Sequence, residues 1–481
     1  MKKIFIILTA ISILGAGCSK QLEENPKNKI STDKFFSTDA EAIQGSTGVY
    51  SWLATAGGFG QSLWRGLDEG TDVSRIRALI DVVPSYTLTA SNSGYTASIW
   101  TTMYQGVYNA NLFIDKVSKS NGISAATKTR VLGEAKFLRS LYYYYLTGLF
   151  GDVVYYDEKS YTIDATKNLG RTSADQIRAN LVQSLKEAEA ALPAKYTGAD
   201  VGRATKGAAQ TLLTKIYLWQ KQWKLAQDEA QAIVDSKTYT LQPNYADIFT
   251  DANEFGPEVI FEVDFEPVLN GNNHHTWYQP NNIVGVSPFS GRSWYGYPIP
   301  YQWFVNSFDA ADKRKTSILA DSYNGTPFKI DPVQKITMWM GPKFWRLTYP
   351  SDSDGGMDVY VFRYADVLLM LAEAANENND MTTAISNVNL VRARAGLTNM
   401  TSSTQQQMRD YLFAERAKEL VGEGQRRLDL IRWGKLVPSV KAAAAVEDPF
   451  VTSNIQDFHV RYPIPAAEIQ KDPALTQNTG Y

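Results

Sequence analysis

Residues 203–236 read RATKGAAQTLLTKIYLWQKQWKLAQDEAQAIVDS, and this stretch decides the fold class. Ala208, Ala209, Leu212, Leu213, Ile216 and Tyr217 recur at three- and four-residue steps, which puts them on one face of a helix. Trp223, Ala226, Ala230 and Ile233 mark a second helix directly after it. Two helices in so short a stretch, with alanines where they cross, make a helix hairpin whose apolar faces need further helices to cover them.

Comparable pairs can be drawn at 128–192, 361–395 and 404–434. The spacing resembles tetratricopeptide repeats, although the usual repeat glycine and terminal proline are absent from 203–236. The expected fold is therefore mainly α: four tetratricopeptide-like helix pairs form a scaffold, and a loop-rich irregular insertion carries the binding surface. Asp39 is the expected cap of a helix to about Leu53. Helical spacing returns from Ile99 to Val117. Ser124 is placed to cap a helix ending at Gly151, and Thr172 or Ser173 one ending at Leu192 before Pro193. Residues 56–95 read as a long loop with short strands. Residues 240–360 read as an insertion of poor helical period with a β-like run at Glu258–Asp264, and 446–481 as an extended, proline-punctuated tail.

Lys+Arg is 48 and Asp+Glu is 50, and there is no basic run, which argues against a nucleic-acid partner. Aromatic residues reach 12%, with 27 Tyr and 11 Trp, more than a core alone readily explains when many lie in polar stretches. At the N-terminus, Lys2 and Lys3 precede an apolar run from Ile4 to Leu14, too short to span a bilayer. Gly15, Ala16 and Gly17 then lead into Cys18, the single cysteine. This reads as a bacterial lipoprotein signal over 1–17, with Cys18 acylated, a tether over 18–37, and one domain over 38–481. Leu14 lies four residues before Cys18 rather than the usual three. Two or more acyl chains would hold such a protein firmly to a membrane surface.

Several stretches, in order, then carry a family resemblance: YNANLFI at 108–114, GEAKFLR at 133–139, FGDVV at 150–154, GRATKGAA at 202–209 and FRYADVLL at 362–369. VRARAGL at 391–397, ERAKEL at 415–420, RRLDLIRWG at 426–434, YPIP at 462–465 and QNTGY at 477–481 complete the set. Together they resemble the SusD/RagB proteins over nearly the whole mature chain. The resemblance implies an outer-membrane lipoprotein on the cell surface, a lid on a SusC-like TonB-dependent transporter that binds oligosaccharide and catalyses nothing. Glu23 and Glu24 after Cys18 resemble the surface-export signal of lipoproteins in the Bacteroidetes. Arg363, Asp366, Arg416, Glu419, Arg426, Asp429 and Arg432 lie in these motifs, on helices with apolar neighbours. They read as scaffold ion pairs rather than a site.

A sugar offers an apolar ring face and a rim of hydroxyls, so its site needs flat aromatics beside polar side chains. Two loop stretches supply both. The first holds Trp64, Asp68, Asp72 and Arg75; the second holds Trp277, Tyr278, Trp294 and Tyr295. Burial inside the loops is the competing reading for each ring, and ion pairing or turn capping for each charge. His274-His275 as a metal site, and Asp352, Asp354 and Asp358 as a calcium loop, are weaker; a solvated turn is the expectation for the aspartates, since the EF-hand spacing is absent. No metal or cofactor is expected. The alternatives to glycan capture are a peptide or other non-glycan cargo on the same architecture, a glycoside hydrolase using paired carboxylates, or a helical adaptor.

Overall fold

The structure, a computed structural model, describes residues 36–76, 81–280, 286, 298–328, 338–347, 350–351 and 354–481. Cys18, Asp352, Trp294 and Tyr295 lie outside the described residues. Helix α1 (Asp39–Ala54) opens with a reciprocal cap: the Thr38 hydroxyl accepts from the Glu41 amide, and the Glu41 carboxylate accepts from the Thr38 amide. Thr38, not Asp39, is thus the cap. The Asp39 carboxylate instead accepts the Ser124 amide and hydroxyl, each at 2.7 Å, and so ties this helix to the start of a later one.

Residues 56–95 are less irregular than their composition suggests. They hold α2 (Ser62–Asp68) and β1 (Ser74–Ile76). Helix α3 (Thr96–Lys119) follows, then α4 (Ala125–Phe150), capped by Ser124 and ended at Gly151, whose φ of +80° suits glycine alone. Helix α5 (Ala174–Ala191) is capped by Ser173. The central pair is α6 (Lys206–Trp219) and α7 (Trp223–Ser236). After the insertion come α8 (Tyr364–Glu377), α9 (Met381–Arg394), α10 (Gln405–Glu419) and α11 (Arg426–Arg432).

These helices stack in chain order. Each of α3 to α7 packs on the next, α7 packs on α8, and α8 packs on both α9 and α10. The last pair departs from the pattern, since α11 lies against α2 and α4. Strand β2 (Val259–Val263), within the expected β-like run, pairs antiparallel with β4 (Val359–Arg363), and β4 leads the chain into α8. Strand β1 pairs antiparallel with β3 (Pro298–Pro300), with Arg75 opposite Ile299, and this joins the N-terminal loop to the insertion. One large apolar cluster runs from Ala42 to Leu475. The tail is not extended: helical turns occupy Pro449–Asn454, Asp457–Val460 and Ala466–Lys471.

The charged motifs lie inside this scaffold. Arg363 donates to Glu258 at 2.7 Å and to Glu419 at 2.8 Å, and Arg314 reaches Glu415 at 2.6 Å and Glu419 at 2.9 Å. Lys215 meets Asp366 at 2.6 Å, and Arg416 links Asp366 to Asp429 at 2.8 and 2.7 Å. Burial alone would raise the Glu419 carboxyl, but Arg394, Arg363 and Arg314 outweigh it and hold Glu419 well below the usual range. Such a network fixes one arrangement of helices, because an ion left without its partner in this interior is strongly unfavourable.

Candidate functional site

Helix α2 carries Trp64 and Asp68, the turn after it carries Asp72, and β1 carries Arg75. A short helix, His274–Tyr278, carries Trp277 and Tyr278. The fold brings these two segments together. The Trp64 ring lies 4.5 Å from His274, 5.8 Å from Trp277 and 6.1 Å from Tyr278, centroid to centroid. Phe344 closes the group, 4.6 Å from Tyr278 and 4.9 Å from His274.

These rings do not face solvent. Trp64 is 1% exposed, Trp277 5% and Tyr278 3%, so in this conformation none offers a face to a ligand. The physical reason is mutual burial: edge-to-face packing removes large apolar areas from water at once. The Arg65 guanidinium, 3.9 Å from the centre of the Trp277 ring, covers what remains and is held by Glu69 at 2.8 Å. Gly422 completes the packing; with φ at +74°, a Cβ there would stand 2.3 Å from the Phe344 ring.

The acidic residues of this region are also internal. Asp72 takes a two-pronged bond from Arg426 at 2.8 and 2.7 Å. Asp68 accepts the Gly424 amide at 3.1 Å. Burial, with Glu423 adding to it, raises the Asp68 carboxyl to about 8 despite that bond. The expectation that Trp64, Asp68, Asp72, Trp277 and Tyr278 meet a ligand is therefore corrected for this conformation: they join the N-terminal loop to the insertion and to α11. Arg75 is half-buried in the two-strand ladder.

His274 and His275 are buried as well. Burial pushes the His274 imidazole down to about 3, with positive charge at His275, Lys343 and Arg346 adding to the effect. Among the described residues no group of three or more His, Cys, Asp or Glu stands where it could hold a metal ion. Asp358 does not sit in a solvated turn, whereas Asp354 is half-buried in a turn, its amide donating to the Ser351 carbonyl at 3.0 Å. Asp358 is buried and accepts the Phe265 amide at 2.9 Å, and Asp354 accepts the Val268 amide at 2.8 Å, so both brace the loop after β2. Among the described residues no helix is long and apolar enough to cross a membrane.

Open aromatic surface lies elsewhere, where loop composition gave no signal. Tyr104 and Tyr108 stand one turn apart on α3 beside a cavity of about 360 Å³ that also meets Trp100, Tyr156 and Lys471. Tyr104 and Tyr156 stack at 6.2 Å with 17° between their planes, and Tyr108 is 43% exposed. A larger cleft, about 640 Å³, opens between α1, the 199–203 loop and β2. Tyr108 was detectable only as the outer member of a Trp100–Tyr104–Tyr108 stripe at four-residue steps.

Comparison with known proteins agrees with this architecture. The family described as "SusD family" matches residues 322–481, and the one described as "Starch-binding associating with outer membrane" matches residues 22–218. A SusD-like protein of Formosa agariphila is 29% identical, over 99% of this chain and 98% of its own length. A SusD homolog from Bacteroides thetaiotaomicron superposes with a TM-score of 0.84 at 22% identity, covering 95% of this chain and 99% of that one. The surface glycan-binding protein A of the same species, solved in complex with laminarihexaose, superposes with a TM-score of 0.76 at 21% identity, covering 92% of this chain and 99% of that one. With its helix pairs, its buried motif charges and these two matches, one toward each end of the chain, the chain belongs to the SusD-like family.

Proposed function

We propose that this chain is a cell-surface glycan-binding lipoprotein that captures an oligosaccharide and passes it to a TonB-dependent outer-membrane transporter. The observation that carries the reading is its likeness, over most of its length, to a fold that holds laminarihexaose in a relative, together with the starch-binding description of the family matching its N-terminal half. Cys18 is the proposed lipid anchor, with residues 1–17 as its signal. Capture needs no bond made or broken, and no catalytic residue is assigned. With Trp64, Trp277 and Tyr278 internal, the ligand contacts proposed from the variable loops reduce to Trp294, Tyr295 and Arg75.

The test is titration of the purified protein against a panel of defined polysaccharides and, in parallel, peptides. A micromolar to millimolar response to one glycan class is expected, weakened about fivefold by Trp294→Ala or Tyr295→Ala, since one aromatic contact contributes about 1 kcal/mol. Binding to peptides with none to any glycan would move the cargo to the alternative class. Release of reducing ends from a bound polysaccharide would replace capture with hydrolysis. For the anchor, Cys18→Ser is expected to move the protein from the membrane to the soluble fraction.

A further inference from the structure

The cleft over α1 does not stand alone. A second cavity of about 360 Å³ shares Val201, Gly202, Arg203, Phe255, Phe261 and Glu262 with it in their walls. Phe255 is the strained member of this set. Its φ of +52° is unfavourable for an aromatic residue, and its ring lies against Gly202, where a Cβ would come within 2.8 Å of it. The Phe255 amide donates to one Glu262 oxygen at 2.6 Å, which holds the Phe255 backbone in place.

Glu262 is the unusual group. Its side chain is 3% exposed and lines both cavities, yet its second oxygen has no hydrogen-bond partner among the described residues. A buried polar atom left this way is unfavourable, and a ligand group that bonds to it removes the penalty. Burial raises the Glu262 carboxyl well above the usual carboxylate range, and the carboxyls of Asp358, Glu254 and Asp264 add to the rise against the pull of the Phe255 amide. Ring surface stands beside it: the half-buried Tyr50 and Phe255 side chains line the cleft. Ring surface next to a carboxyl with one unbonded oxygen matches a hydroxyl-bearing ring, whose O–H can donate to that oxygen, rather than an anion.

We propose that this cleft is a second saccharide-binding site, in which Glu262 hydrogen-bonds a hydroxyl of a neutral sugar and Phe255 packs on the sugar's ring face. The proposal rests on the glycan-binding reading and adds a site remote in sequence from Trp294 and Tyr295.

The experiment titrates the whole mature chain with the oligosaccharide found by the polysaccharide panel, and follows amide hydrogen exchange with and without saturating ligand. Slower exchange is expected at 199–203 and 255–262. Glu262→Leu and Phe255→Ala are each expected to weaken this site by about tenfold, while Glu262→Gln, which keeps the shape and an acceptor oxygen without a charge, binds within about twofold of the parent. A Glu262→Gln protein that loses binding as Glu262→Leu does would overturn the proposal in favour of a cationic ligand. Unchanged exchange in both segments, or unchanged affinity in variants that melt like the parent, would overturn it while leaving glycan capture at Trp294 and Tyr295 intact. A parent protein that binds no glycan would overturn both readings together.

Discussion

Two interior regions of this protein are built from opposite chemistry. Behind α8 and α10, Arg314, Arg363 and Arg394 converge on Glu419, and ion pairs continue through Arg416 to Asp366 and Asp429. Between α2 and the 274–278 helix, Trp64, Trp277, Tyr278 and Phe344 fill space with rings, and both ring nitrogens of His274 lack a hydrogen-bond partner among the described residues. In a sequence, clustered charges and clustered aromatics both suggest a binding site. Here both hold the scaffold together, the first by matched charge with exacting geometry, the second by apolar area that tolerates an unbonded nitrogen.

The largest effect should come from the charged region. Glu419→Ala leaves three arginines short of a counter-ion, and a loss of about 3–5 kcal/mol in urea denaturation is expected. A loss below about 1 kcal/mol would mean that water reaches the network and that the contrast is wrong. Trp64→Ala removes the centre of the ring cluster and should cost about 3–4 kcal/mol by the same measurement, the usual range for a large core aromatic. An unchanged midpoint would show that the cluster opens freely and return Trp64 to the list of ligand contacts.

The ring region should also respond to pH in two ways that separate it from the ion network. His274 stays neutral in the folded protein down to about pH 3, whereas an unfolded histidine takes a proton near 6.5. The unfolded chain binds more protons between these values, so stability falls as pH drops from about 6.5 toward 3. His274→Leu should flatten that slope. Asp68 acts in the other direction. Its folded carboxyl titrates near 8 against an ordinary value of 3.8, so its contribution is complete below 3.8 and is lost as pH rises to about 8. Asp68→Asn, which keeps an acceptor for the Gly424 amide, should lessen the decline on the alkaline side. Melting curves from pH 4 to 9 test both; parallel profiles for parent and variants would refute the assignment. The smallest effect is expected on the surface. Arg409 is 42% exposed in its pair with Glu377, and Arg409→Ala should change stability by less than about 1 kcal/mol.

Helix spacing, the caps at Ser124 and Ser173 and the stop at Gly151 were legible because they are local: each depends on residues within one or two turns. The motif charges were also legible as scaffold, since Arg363, Asp366 and Arg416 sit among apolar neighbours, the first at the end of β4 and the other two on regular helices. The expected turn before α8 was not, because Asp358 is buried by its bond to the Phe265 amide, a partner distant in the chain. Helix α2 was hidden by its glycine- and serine-rich surroundings, whose composition suggests a loop.

The sequence by itself determined the helix pairs and the family, because period and motif order survive without knowledge of what each face meets. The tertiary structure alone decided which aromatics are walls and which are surface. Trp64 is internal because His274 to Tyr278 folds onto it, Asp72 because Arg426 reaches it, and Glu262 is left with an unbonded oxygen in a cleft because α1 and the 199–203 loop stop short of it. Burial of a loop side chain depends on partners hundreds of residues away, and no local pattern encodes those encounters.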